Sequence, residues 1–218
     1  CALGFFTVAL AETEIVRAIL LFYLSPVWST ALGILFLRDR PTVGRLATLG
    51  LGLLGLVVVL GSEGGFPWPR NLGDTLALIS GFSWSLASLK LYRMPRAPIS
   101  DLVVTFVTGC MVVTVALHLL LATPLPQDAV YNVAPWVLFS AVYIVPTLAM
   151  TLWPATLLPP AKAGLLLMTE VVVGTLSAAA FSGEPFGLRE AVGCLLITGA
   201  LLAEVLVPAR PPGVPPTV

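Results

Sequence analysis

Between residues 13 and 207 the chain is a succession of apolar runs, each about as long as a bilayer is thick, separated by short turns. A helix rises 1.5 Å per residue, so about 20 residues cross a hydrocarbon core of roughly 30 Å. Full-length runs lie at 13–37, 43–61, 73–92, 101–122, 133–157, 161–182 and 186–207, with a shorter one at 1–11. The turns carry the Gly, Pro and charge that end helices: Arg38-Asp39-Arg40-Pro41-Thr42, Gly61 to Gly73, Arg93 to Ser100, Thr123 to Asn132, Leu158-Pro159-Pro160 and Ser182-Gly183-Glu184-Pro185. Lipid offers the backbone no hydrogen bonds, so such runs cross a membrane as helices. The expected class is an all-α integral membrane protein with seven complete spans, one remnant and no soluble domain.

Composition excludes the main alternatives. Charged residues are 10% of the chain, against about 25% in a soluble protein. Eleven basic and eleven acidic side chains give none of the net positive charge that nucleic-acid binding needs, and a mean hydropathy of +1.01 excludes a disordered chain. Cys1 opens inside an apolar run with no basic segment ahead of it, so the chain reads as a fragment that starts neither at an initiator Met nor at a signal peptide. Cys1, Cys110 and Cys194 lie far apart without a second ligand at metal spacing, and His118 is isolated. Neither a disulfide nor a metal is expected, and no cofactor motif is present. The stretch Pro208 to Val218 reads as a solvated Pro-rich tail.

Counting Lys and Arg on alternate sides orients the spans. One side receives Arg38, Arg40, Arg45, Lys90, Arg93, Arg96, Lys162 and Arg210, the other only Arg17, Arg70 and Arg189. The richer side faces the cytoplasm, which puts the C-terminus inside a cell membrane, with Trp68, Tyr131 and Trp136 at the outer interface.

Sliding the chain by 144 positions lays Pro26 to Val57 over Glu170 to Leu201 without a gap, matching Val27/Val171, Leu32/Leu176, Pro41/Pro185, Arg45/Arg189, Ala47/Ala191, Leu51/Leu195 and Gly55/Gly199. The turns coincide as well: span, Pro-containing turn, Arg, then a span with Gly in its second half. The run at 13–37 and that at 161–182 are five spans apart, an odd number, so they cross in opposite directions. This is the pattern of an inverted repeat. The unit at 73–207 holds five spans, so an intact protein is expected to have ten, with about seven and a half here. Residues 1–61 are then the C-terminal part of a first repeat, 62–72 an outer linker, 73–207 a second repeat and 208–218 a cytoplasmic tail.

The chain resembles the EamA family of the drug/metabolite transporter superfamily. The resemblance rests on Leu24-Ser25-Pro26-Val27 leading into Leu37-Arg38-Asp39-Arg40, on Gly50 to Gly61, and on Gly73-Asp74 with Ser80-Gly81-Phe82-Ser83-Trp84 and Lys90-Leu91-Tyr92-Arg93. Thr169-Glu170-Val171, Gly183-Glu184-Pro185 and Gly193 to Gly199 complete it. It implies two inverted five-helix repeats and a secondary transporter of a small organic molecule, amino acid-like or drug-like, working outward by alternating access around a midplane cavity. Tyr23-Leu24-Ser25-Pro26 and Ser83-Trp84 are similar to cavity segments of aromatic amino-acid exporters, with Ser25 standing where those have a second Trp.

From the residues themselves, Glu170 lies nine positions into its run, about 13 Å deep. Burying its charge there costs roughly 2.5 to 3.5 kcal/mol, which points to proton, cation or substrate binding or else to a protonated structural hydrogen bond. Pro26, its counterpart in the repeat, frees the carbonyl of Phe22 in mid-span, where only protein or a wet cavity can face it. Tyr23, Ser25, Ser29 and Thr30 surround that break. Pro135, Pro146 and Pro154 repeat the theme beside Tyr143, Thr147 and Trp153. Substrate contacts are therefore expected from Tyr23, Ser25, Pro26, Ser80, Trp84, Tyr143 and Glu170. Ser80, Ser83, Ser85 and Ser88 also suit close helix packing. Glu14 and Arg17 are spaced for an ion pair, and Glu204 stands close enough to the inner end to snorkel.

Two other classes make different demands. An embedded enzyme needs paired catalytic groups, and Gly81-Phe82-Ser83-Trp84-Ser85 fails the Gly-x-Ser-x-Gly pattern at its last position. A helix-bundle scaffold or subunit without its own cavity is the other. The expected partners are a small-molecule substrate and lipid, no nucleic acid, and either a monomer or a homodimer.

Overall fold

A computed structural model describes residues 2–38, 42–60, 69–93, 98–121, 129–182 and 186–206. The expectations for Trp68, Asp39, Arg40, Gly183-Glu184-Pro185 and the Pro-rich tail lie outside these residues, as do those for the side chains of Tyr131 and Trp136. The described chain is helical, in the order α1 (Ala2–Glu12), α2 (Ile15–Phe22), α3 (Ser25–Leu37), α4 (Val43–Leu60), α5 (Leu72–Arg93), α6 (Ile99–Leu121), α7 (Ala129–Leu157), α8 (Pro160–Leu167), α9 (Thr169–Ser177) with a π-helical turn Ala178–Ser182, and α10 (Leu188–Leu206). Among the described residues five spans are long and apolar enough to cross a membrane: Ile15–Leu37, Val43–Leu60, Ile99–Leu120, Val137–Leu157 and Pro160–Phe181. The protein is an all-α membrane protein.

Two of the runs are each split into two helices. Leu24 N donates to Leu21 O and Val27 N to Leu24 O in the first, while Met168 N donates to Leu165 O and Val171 N to Met168 O in the second. Each residue of the second set is 144 positions after its counterpart, so the offset read from the sequence reappears in the backbone. The cause in the first break is Pro26. Helix α3 restarts at Ser25, which puts Pro26 in its first turn, where a missing N–H leaves no bond unmade. The Pro-rich run at 133–157 behaves differently: α7 continues through Pro135, Pro146 and Pro154 as one helix.

The chain forms two compact units, one of residues 1–40 and 63–164, the other of 41–62 and 165–218. In the first, α5 packs against α1, α2 and α3, and α6 against α1 and α7. Ser80 Oγ reaches Ala2 O at 2.6 Å while Gly73 lies against Glu12, so α1 and α5 are antiparallel. Gly81 lies against Phe22 and Ser85 against Ser25, so the broken span and α5 run parallel. Ala9, Ala18, Leu21, Leu76 and Ala77 form the apolar core between these helices. Small residues on α5 permit this approach: a Cβ added to Gly81 would stand 2.6 Å from Phe22 O.

In the second unit α4 packs along α10. Thr48 meets Glu204, Gly52 lies near Ala200, and Gly55 against Gly193 and Ile197, so partner numbers fall as position rises and the two helices are antiparallel. Contact is backbone to backbone: a Cβ on Gly55 would be 2.8 Å from Gly193 O, and one on Gly193 2.8 Å from Gly55 O. On α6 and α7 large apolar side chains such as Met111, Leu120 and Leu138 stand exposed, as a bilayer requires.

Candidate functional site

The break at Tyr23–Leu24 is enclosed by protein. Because Pro26 cannot donate to Phe22 O, that carbonyl is turned against the backbone of Gly81 on α5. Ser85 Oγ donates to Ser25 O at 2.8 Å and to Gly81 O at 2.9 Å, so one hydroxyl ties α5 to the restart of α3. Thr30 Oγ1 returns to Pro26 O at 2.8 Å. A Cβ added to Gly164 of α8 would stand 3.1 Å from Pro26 Cα and 3.4 Å from its ring.

Of the residues expected to contact substrate, Tyr23, Ser25, Pro26 and Trp84 are buried in this first unit around the α3–α5 seam, and Ser80 is buried on α5 against α1. Tyr23 stands edge-on to Phe22 with ring centroids 5.4 Å apart, and Trp84 edge-on to Phe106 of α6 at 6.3 Å. The hydroxyls of Ser25, Ser29 and Ser88 and the indole N–H groups of Trp28 and Trp84 are buried with no hydrogen-bond partner among the described residues. Trp28 was not singled out from the sequence, where an indole in an apolar run carries no signal of its own.

The other two expected residues are differently placed. Tyr143 is exposed on α7 and stacks on Phe139 with centroids 6.0 Å apart. Glu170 is exposed in the first turn of α9, directly after the break at Met168. A carboxylate there is favoured by the positive end of the half-helix dipole. A cavity of about 460 Å³ between Ile99 and Leu102 of α6 and Ala149, Met150, Trp153 and Leu157 of α7 is lined by none of the expected site residues.

Ion pairs place two further side chains. Arg17 Nη2 lies 2.6 Å from Asp74 Oδ2, so Arg17 is bound across to α5. Asp74 is fully buried and also accepts from Thr13 Oγ1 at 2.6 Å and Arg70 N at 3.0 Å, while Asn71 caps α5 through Asp74 N at 2.7 Å. Glu204 does not snorkel: it is 4% exposed, with Arg45 Nε at 3.6 Å and Thr48 Oγ1 at 3.2 Å. Both links join positions distant in sequence, which spacing along one helix cannot reveal.

Residues 1–61 match the EamA-like transporter family. No curated protein matches the chain. Several solved structures share its fold. One crystal structure is 23% identical with a TM-score of 0.66 over 93% of this chain and 70% of its own.

Proposed function

We propose that the protein is a secondary transporter in which two inverted repeats rock about a central cavity to move a small organic molecule outward across a cell membrane, a reading supported by the match of residues 1–61 to the EamA-like transporter family. The observation that carries the reading is the pair of helix breaks at Leu24 and Met168, 144 positions apart with the same hydrogen-bond pattern. Interrupted helices at equivalent places of two repeats are where transporters expose polar backbone to cargo. The antiparallel α4 and α10, which that offset makes equivalent, support inversion of the repeat. In this reading 1–61 and 73–207 are the repeats, and each compact unit draws helices from both.

Tyr23, Ser25, Pro26, Ser80 and Trp84 line the cargo site from the first break, with Tyr143 as a further aromatic contact. Glu170 at the second break carries a proton or a cationic group. The cytoplasmic side is the one rich in Lys and Arg, with the C-terminus inside. Untargeted metabolite profiling of cells overproducing the full-length protein, against cells lacking it, tests transport: a solute depleted inside and enriched outside is expected, and no change in any solute sinks the reading.

Glu170→Gln should preserve expression and abolish or pH-decouple flux in proteoliposomes between pH 5.5 and 8. Wild-type rates and pH dependence in that variant would remove Glu170 from the mechanism.

A further inference from the structure

The α3–α5 seam of the first unit holds more hydrogen-bonding groups than its packing uses. Ser25, Ser29 and Ser88 are at most 1% exposed, and none of the three hydroxyls has a partner among the described residues. A serine placed only for close helix approach returns its hydroxyl to a backbone carbonyl, as Ser85 does to Gly81 and Ser25, and as Thr30 does to Pro26. These three do not. The parallel register set by Gly81 against Phe22 and Ser85 against Ser25 brings Ser29 level with Ser88, so the three lie within about one turn along the seam. The buried indole N–H of Trp84, on the same turn of α5 as Ser85 and Ser88, adds a donor without a partner.

The two helices of the seam carry no charge at this level. Arg17 and Asp74 stand at one end of the unit, and Arg38, Lys90 and Arg93 at the other. Residues 18–37 and 75–89, which form the seam between them, include no Asp, Glu, Lys or Arg. A carboxylate or ammonium placed here would lose its water without gaining a counter-charge, whereas hydroxyls that both donate and accept suit a neutral polar group.

We propose, resting on the transporter reading, that this seam binds an uncharged hydrogen-bonding group of the cargo, a hydroxyl, amide or carbonyl, and rejects carboxylate and ammonium groups. Tyr23 and Trp84 flank it with aromatic surface for an apolar body beside that group.

Three small probes share a ring and differ in head group: 2-phenylethanol, phenylacetate and phenethylamine. In the full-length protein with its cysteines replaced, Ser88→Cys should react with a small methanethiosulfonate. Saturating 2-phenylethanol should slow that reaction at least fivefold, the charged probes less than twofold, and Ser29→Ala should remove most of the protection. A Ser88→Cys thiol that does not react, equal protection by a charged probe, or protection unaltered by Ser29→Ala would each overturn the proposal. If the cysteine variant does not fold, melting temperature is the readout: 2-phenylethanol should raise it in wild type but not in Ser29→Ala, and the charged probes in neither, any other pattern counting against the seam. Metabolite profiling is independent of these results, so failure here leaves the transporter reading standing and failure there is recognised separately.

Discussion

Gly81 decides how closely α5 can approach the break between α2 and α3. A methyl group there would press on Phe22 O at 2.6 Å, and that carbonyl cannot retreat because Pro26 has fixed the chain behind it. Gly81→Ala should therefore lower stability by about 1 to 3 kcal/mol, read as a fall in melting temperature in detergent; an unchanged value would mean the two helices separate easily. Asp74 is the second residue on which the unit depends, since it holds Arg17, Thr13 and the start of α5 together. Asp74→Ala removes the buried carboxylate that holds the Arg17 guanidinium and should cost about 3 kcal/mol or more. Replacing Arg17 and Asp74 together by Leu should cost less than Asp74→Ala alone, because both members of the pair leave together. Chemical unfolding of the three proteins checks the order. Proline in an apolar run marks Pro26 from the sequence, whereas the partner of Arg17 does not show, because Asp74 is 57 positions away and looks like a helix-capping acid.

The two broken spans show how far an element can be read from its own residues. Pro26 predicts the first break through a missing donor, but no proline stands at Met168, and only the 144-residue offset points there. Three prolines in α7 produce no break, so proline alone is not a sufficient signal. Glycine has the same ambiguity in α4 and α10. A Cβ added to Gly193 would stand 2.8 Å from Gly55 O and closer still to a Val59 methyl, while one added to Gly50 would meet open space. Gly193→Ala should destabilise the α4–α10 pair by about 1 to 3 kcal/mol, whereas Gly50→Ala should be neutral or stabilising by up to about 1 kcal/mol through helix propensity. Parallel melting curves of the two variants test this, and equal effects would mean that α4 does not meet α10 through its glycines.

For the whole molecule the testable property is sidedness. In a cysteine-free background, an impermeant thiol reagent should label Ser62→Cys in intact cells and leave Ser100→Cys untouched; the reverse pattern would overturn the orientation and with it the inverted repeat. Helical class, approximate span limits and the 144-residue offset are written in the sequence, because the bilayer imposes one length and one hydrogen-bonding solution on every run that crosses it. Tyr23, Ser25, Pro26 and Trp84 stand out as candidates for the same reason: polar, aromatic and helix-breaking groups are conspicuous where apolar ones are the rule. The sequence could not decide which of its serines merely pack and which keep a free hydroxyl, since Ser85 and Ser88 are the same residue type three positions apart on one helix. Nor could it show that Glu204 meets Arg45 and Thr48 in place of water. Those outcomes depend on which helix lies opposite and in what register, and only the tertiary structure supplies that neighbour.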